Sequence, residues 1–251
     1  GAAPDEVMVA DSVSVNLFKL LGAALTMRPG RPVILSERQN FGTDLYVAEG
    51  LAGLLADRAT MRVVDRGGIA AALDREVAVL MLTHVDFRSG EMHDMAALTA
   101  AAHAVGALVL WDLAHSAGAL PVDLDGCGAD LAVGCGYKYL NGGPGAPAFA
   151  FVARRHQAAL RPPLQGWMGH AAPFDFELGY SPAPGVGRLR AGTPPILSLA
   201  ALECGVEEIA EIGIAALRAK SLALSGLFIG LVERECAGHG LELASPREPE
   251  R

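Results

Sequence analysis

The 251 residues carry 20 basic and 28 acidic side chains, giving a net charge of -8 and a pI near 5.3, with 51% hydrophobic and 19% charged residues. That balance excludes a disordered chain, and without a basic run there is no footprint for a phosphate backbone, so nucleic acid is not an expected partner. No apolar run reads as the ~20 residues of a bilayer span, and the opening GAAPDEVMVAD lacks the parts of a signal peptide, so the chain is expected in the cytoplasm and off the membrane. Cys127, Cys135, Cys204 and Cys236 are far apart and form no CxxC pair, and the seven histidines show no HxxxH or HExxH spacing, so neither a disulfide framework nor a metal site is expected.

In chain order, residues 7–10 read as a short strand, and Asp11, Ser12 and Ser14 are capping types ahead of a helix that ends near Arg28, Pro29 and Gly30. The free N–H groups of a helix start bind phosphate, so Val13 and Ser14 are candidate phosphate contacts; plain capping explains the same residues. Residues 32–36 form the next strand, and Asn40, Phe41, Gly42, Thr43 and Asp44 form a loop before a helix over about 45–56. Strands follow at 61–64 and 77–83 with a short helix at 69–74 between them, and Thr83 closes the second, where an ordinary strand-ending threonine is the other reading. Arg88 to Glu91 make a turn, 94–105 an alanine-rich helix, and 107–111 a strand that leaves Asp112 at a carboxyl end, the edge at which open α/β sheets bind ligands.

His115 stands three residues after Asp112, and the apolar run 129–134 leads through Cys135 and Gly136 to Tyr137 and Lys138. Asn141, Gly142, Gly143, Pro144 and Gly145 forbid a helix there, which puts Lys138 on a glycine-wrapped loop. A strand at 148–152 and a long ordered loop over 161–190 come next, then helices over 196–212 and about 215–237 broken near Gly213, with a further strand start at 238–243. Alternating strands and helices predict an α/β fold with a mainly parallel sheet flanked by helices.

An amine among tyrosines and apolar residues is partly desolvated and suits Schiff-base chemistry, and a carboxylate at the end of the preceding strand suits a protonated pyridine nitrogen. Asp112 and Lys138 are therefore the pair that pyridoxal phosphate needs.

The motifs DLAHSAG and GYKYLNGGPG, with DSVSVNLFKLL at 11–21, ERQNFGTDLYV at 37–47, THVDFRSGEMHDM at 83–95, GWMGH at 166–170 and RAGTPPILSL at 190–199, occur in the order found in the kynureninase family, which the chain resembles over nearly its whole length. The resemblance implies the large domain of the pyridoxal-phosphate-dependent transferase fold type I at 1–213. It implies a connector helix and the start of a truncated carboxyl-terminal domain at 214–251, with the small domain largely missing.

It further implies phosphate contacts at Val13 and Ser14, ring stacking by Phe41 beside Gly42 and Thr43, cofactor-side carboxylates Asp44 and Asp112, and nearby Thr83 and His115. Lys138 would hold the cofactor and act as general base, with Tyr137 as proton relay. Trp167 and Thr193 would come from the partner subunit of a homodimer to complete the phosphate site. The implied reaction is hydrolysis of the Cβ–Cγ bond of L-kynurenine or 3-hydroxykynurenine to the anthranilate and L-alanine, in tryptophan catabolism and NAD biosynthesis. The alternatives are another fold type I enzyme, such as a cysteine desulfurase or aminotransferase, and a chain that binds cofactor without turnover. The last gains weight because nothing here matches the arginine with which the family holds the substrate α-carboxylate, so weak or absent hydrolysis is expected of the chain as it stands.

Overall fold

The structure is a computed structural model that describes residues 1–248; residues 249–251, part of the stretch assigned above to a truncated carboxyl-terminal domain, lie outside the described residues. Among the described residues, seven strands form one sheet: β1 (Val7–Val9), β2 (Val33–Glu37), β3 (Thr60–Val64), β4 (Val77–Thr83), β5 (Leu108–Asp112), β6 (Leu131–Cys135) and β7 (Ala148–Val152). Their order is β1-β7-β6-β5-β4-β2-β3, with β2 to β6 mutually parallel and β7 antiparallel to both neighbours. Strands β2, β4, β5 and β6 are buried along their whole length, as expected where helices cover both faces of a parallel sheet.

One face packs Leu17, Leu20 and Leu21 of α1 (Val13–Met27) and Leu51 of α2 (Gly42–Leu55) on Ile34, Met81, Leu110 and Val133. The other packs Ile69 of α3 (Ile69–Ala72) and Met95 and Ala102 of α4 (Met95–Ala104) on Leu35, Leu80, Val109 and the fully buried Trp111, whose indole N–H donates to Thr99 at 3.2 Å. A one-turn helix, α5 (Arg154–Gln157), follows β7, and the stretch between it and α6 (Ile196–Ile212) is a long loop with two 3-10 turns, Trp167–Gly169 and Gly185–Leu189.

Three expectations are corrected. Helix α2 starts at Gly42 rather than near Leu45, because the Phe41 carbonyl accepts from Asp44 N at 3.0 Å and closes the first turn early. No strand forms over 238–243, where Gly238 (φ 85°) and Gly240 (φ 69°) turn the backbone out of the extended region. Helix α7 (Ile214–Glu235) contains an 18-residue window with a mean hydropathy of 1.5 and has the length to cross a bilayer, whereas no such run was expected; Arg218 and Lys220 near its start break the apolar reading of the sequence. None of its residues is buried.

Candidate active site

The parallel strands end at one edge, and the chain leaves that edge through the residues singled out above. Asp112, the last residue of β5, is 2% exposed, and its Oδ1 accepts from Ala114 N at 2.8 Å. Asp44 reaches the same place from the first turn of α2 and is 1% exposed. Its Oδ2 accepts from the Thr83 hydroxyl at 3.4 Å, while its buried Oδ1 has no partner. Burial and then the charge of Asp112 push Asp44 up to about 9, so it keeps its proton at neutral pH and donates toward Asp112. Burial also raises Asp112, opposed by the Ala114 N–H, the Lys138 charge and the Asp44 proton. The pair therefore holds at least one proton, on Asp44, because two adjacent buried carboxyls do not both ionise.

Lys138 lies above these acids on the loop between β6 and β7. Asn141, in the left-handed region at φ 58°, turns this loop, and hydrogen bonds from Asn141 N to Lys138 O at 3.1 Å and from Gly142 N to Gly136 O at 2.9 Å close it. Two glycines let neighbours come close. A Cβ on Gly118 would meet Tyr139 O at 2.4 Å, and one on Gly205 of α6 would meet Leu140 O at 2.5 Å, so the loop is clamped between the His115 turn and α6. Held in this way, Lys138 Nζ donates to His115 Nε2 at 2.8 Å. Burial, followed by the lysine charge, lowers the pKa of His115, so its imidazole is neutral and accepts. The segment 113–119 is a series of turns rather than a helix, and it still aims His115 at the lysine.

Aromatic rings wall the amine. Lys138 Nζ lies 5.8 Å from the Phe41 ring centre and 5.7 Å from that of Tyr137. Tyr137 is half exposed, and partial burial with the nearby Cys135 keeps its phenol protonated beyond the ordinary range. Phe87, which the sequence reading passed over, stacks on His115 at 6.5 Å and meets Phe41 edge-on at 5.3 Å. It is carried on a turn in which Asp86 Oδ1 accepts from Arg88 N at 2.9 Å and Ser89 N at 2.7 Å. Asn40 was passed over too: its Oδ1 accepts from Thr83 N at 2.7 Å and its buried Nδ2 is unpartnered. The aspartate-turn pattern DFRSG and the polar residue ahead of Phe41 were the available signals.

The remaining candidates sit further out. Val13 and Ser14 open α1, where the Ser12 hydroxyl caps Val15 N at 3.3 Å and leaves their own N–H groups outside the helix ladder. Gly42 and Thr43 form the first turn of α2. Trp167 and Thr193 do not join the lysine cluster within this chain: the indole meets Phe174 edge-on at 5.7 Å, and exposed Thr193 lines a cavity beside Asp11.

Pyridoxal phosphate fits the residues present. A protonated ring nitrogen would supply the donor that the buried acids Asp44 and Asp112 lack, Asp44 Oδ1 having no partner, a flat ring suits the wall of Phe41, and the primary amine of Lys138 suits an aldehyde.

The profile described as Aminotransferase class-V matches residues 57–234. The chain is 53% identical over 252 residues to the kynureninase of Burkholderia mallei (strain SAVP1), covering 98% of this chain and 61% of the relative. It is likewise 53% identical over 253 residues to the kynureninase of Pseudomonas fluorescens, covering 99% and 61%. The chain thus spans about 61% of the length of the curated relatives it matches. Among solved structures, the apo cysteine desulfurase of Thermococcus onnurineus NA1 superposes with a TM-score of 0.77 at 22% identity, covering 93% of this chain and 59% of that one. A C-DES mutant with glycine covalently linked to its PLP cofactor does so with a TM-score of 0.81 at 18% identity, covering 94% and 63%; both establish the fold. With its profile match, its mostly parallel sheet and its strand-end lysine and aspartate, the chain belongs to the class-V aminotransferase family.

Proposed function

We propose that this chain is the cofactor-binding part of a kynureninase that uses pyridoxal 5'-phosphate to hydrolyse the Cβ–Cγ bond of L-kynurenine or its 3-hydroxy form. The observation that carries this reading is the amine of Lys138, held 2.8 Å from His115 on the Tyr137-Lys138-Tyr139 loop, near two buried acids of which Asp44 keeps its proton. The 53% identity to kynureninases over 98% of the chain supports the choice within the family. A desulfurase reading is less well served. Cys135, the cysteine nearest Lys138 in sequence, is buried and its thiol is pushed up by that burial, the opposite of an activated nucleophile.

When bound, the cofactor supplies an electron sink conjugated to the substrate Cα. Lys138 would bind its aldehyde carbon and, once released by substrate, take the Cα proton, with His115 Nε2 holding the amine in place. Asp112 would hold the pyridine nitrogen in its protonated form, while Asp44, keeping its own proton, limits the site to one negative charge. Tyr137 would serve as a proton relay through its protonated phenol, delivering the proton that the substrate Cβ gains when water converts Cγ to the anthranilate carboxyl, and Phe41 and Phe87 would cover the ring face. Val13 and Ser14 would hold the phosphate, with Trp167 and Thr193 supplied by a second copy of the chain. Exposure of Phe174 (70%), Phe176 (78%) and Leu178 (109%) on the loop that carries Trp167 supports a homodimer through that face.

We assign residues 1–213 to the cofactor domain and 214–251 to a connector helix and the start of a carboxyl-terminal domain. The described cysteines are all free, which suits the cytoplasm, and Arg218 and Lys220 would lie in hydrocarbon if α7 crossed a membrane, so we place α7 in a soluble assembly.

The test is borohydride reduction of the chain incubated with pyridoxal phosphate, followed by peptide mapping, and anthranilate release from kynurenine by the full-length protein. Label on Lys138, lost in Lys138→Ala, together with anthranilate release is the expected result. Label elsewhere sinks the site assignment, and sulfide release from cysteine in place of anthranilate sinks the kynureninase reading.

A further inference from the structure

Lys19 is a charged side chain with no part in the chemistry above, and it is 0% exposed. A buried ammonium persists only where it is paired and hydrogen-bonded, so its partners show what it holds. One partner is the carboxylate of Asp11, with which it forms an ion pair. The other is the Leu189 carbonyl, which accepts from Nζ at 2.5 Å across 170 residues of chain.

Both partners stand next to candidate phosphate contacts. Asp11 occupies the left-handed region at φ 54°, and its carbonyl accepts from Ala148 N at 2.8 Å, so the turn from β1 into Ser12, Val13 and Ser14 depends on its conformation. Asn16 reinforces the turn, donating to Ala10 O at 2.8 Å. Leu189, itself fully buried, precedes the segment Arg190 to Thr193, and the Ala191 carbonyl in that segment accepts from Met168 N at 3.3 Å, next to Trp167. The two sides face each other across a cavity of about 580 Å³ lined by Ala10, Asp11, Arg190, Ala191 and Thr193.

We propose that Lys19 is a positioning residue for the cofactor phosphate, holding in register the turn that leads into Val13 and Ser14 and the segment that carries Thr193 and steadies Trp167. The proposal rests on the cofactor reading above. It deepens that reading by rooting the helix-end contacts of one copy and the contacts it lends to its partner at the same buried amine, so that affinity for the phosphate group depends on a residue that does not touch it.

The experiment compares the affinity of pyridoxal 5'-phosphate with that of pyridoxal, which lacks the phosphate but keeps the aldehyde and ring, for the 251-residue chain and for Lys19→Met, Asp11→Ala and Asp11→Asn. Thermal unfolding of each variant is measured alongside. Lys19→Met and Asp11→Ala are expected to weaken pyridoxal phosphate by about tenfold or more while pyridoxal stays within about twofold, and Asp11→Asn, which still accepts from Lys19, to recover most of the loss. Should Lys19→Met fail to fold, or Asp11→Ala, which leaves the buried ammonium without its counter-ion, Lys19→Gln decides, since it keeps a donor for the Leu189 carbonyl and gives up only the charge of the pair. A loss confined to pyridoxal phosphate then supports the role, and an equal loss for both compounds overturns it. Equal loss for both compounds, or no loss for either, overturns the role of Lys19. An unmodified chain that binds both compounds equally well overturns the phosphate assignment itself.

Discussion

Two aspartates at opposite edges of the same sheet are equally buried and electrically opposite. Asp130, just ahead of β6 at the amino edge, and Asp112, closing β5 at the carboxyl edge, are 1% and 2% exposed. Burial raises both. At Asp130 it is outweighed by donors from His156 at 2.7 Å, His103 at 2.8 Å, Val109 N at 2.8 Å and Arg155 at 2.7 Å, which hold the carboxyl well below the ordinary range. At Asp112 the neighbours include a second acid and only one backbone donor, so the group stays raised and shares a proton with Asp44. A carboxylate surrounded by its own donors is a fastener tying β5, α4, α5 and β6 together; one left short of donors is poised to meet a ligand.

The contrast can be broken at several points. The largest effect is expected at the fastener, where Asp130→Ala strands three cationic or donor side chains and should cost about 3–5 kcal/mol in urea or thermal unfolding. Because the folded carboxyl is depressed, its contribution is present above the ordinary carboxylate range and fades as pH falls through that range and below, so the gap between wild type and variant should narrow in acid. A gap that stays constant with pH contradicts the assignment of the effect to the charge. Next, Asp112→Asn keeps the shape of the side chain but removes the acid proposed to hold the ring nitrogen. Affinity for pyridoxal phosphate should fall roughly 100-fold, equivalent to about 2.7 kcal/mol, in a spectroscopic titration; unchanged affinity removes Asp112 from that role.

Asp44→Asn reverses the sign. Since the folded pKa of Asp44 is raised to about 9, its contribution is full only below the ordinary carboxylate range and is lost as pH climbs toward 9. The amide variant should therefore match wild type near pH 4 and exceed it by on the order of 1–3 kcal/mol near pH 8. A variant less stable than wild type at pH 8 would mean the proton is not shared as described. The smallest effect concerns His115. Lys138→Ala removes the neighbouring charge and should raise the histidine pKa part of the way back, burial keeping the rest, as read by imidazole NMR; a downward shift would show that Lys138 does not donate to it.

The strands and the longer helices were legible because their apolar runs and caps are local: β4, β7 and α6 fall on the residues expected, and Ser12 caps where it was placed, while Asp94, read as the first helical residue, is the cap of α4. Early closure of α2 depended on a backbone bond to Phe41, and the left-handed glycines after α7 on a path that periodicity does not encode. Within the site, Phe41, Asp44, Thr83, Asp112, His115, Tyr137 and Lys138 were named in advance, and the acids and the lysine cluster do come together. Phe87 was missed because its role depends on a turn that brings it between Phe41 and His115. Lys19 was missed because a lysine in a helix reads as solvated surface until a carbonyl 170 residues away is seen beside it.

Sequence by itself determined the alternation of strands and helices, the placing of acid, imidazole and lysine at strand ends, and the family, since each follows from short-range pattern or from ordered motifs. Only the tertiary structure decided which carboxyl holds the proton, which partner orients Lys138, and why Asp130 and Asp112 differ. Proton affinity inside a protein is set by the donors and charges within a few ångströms, and those neighbours are brought together by the crossovers of the sheet rather than by adjacency along the chain.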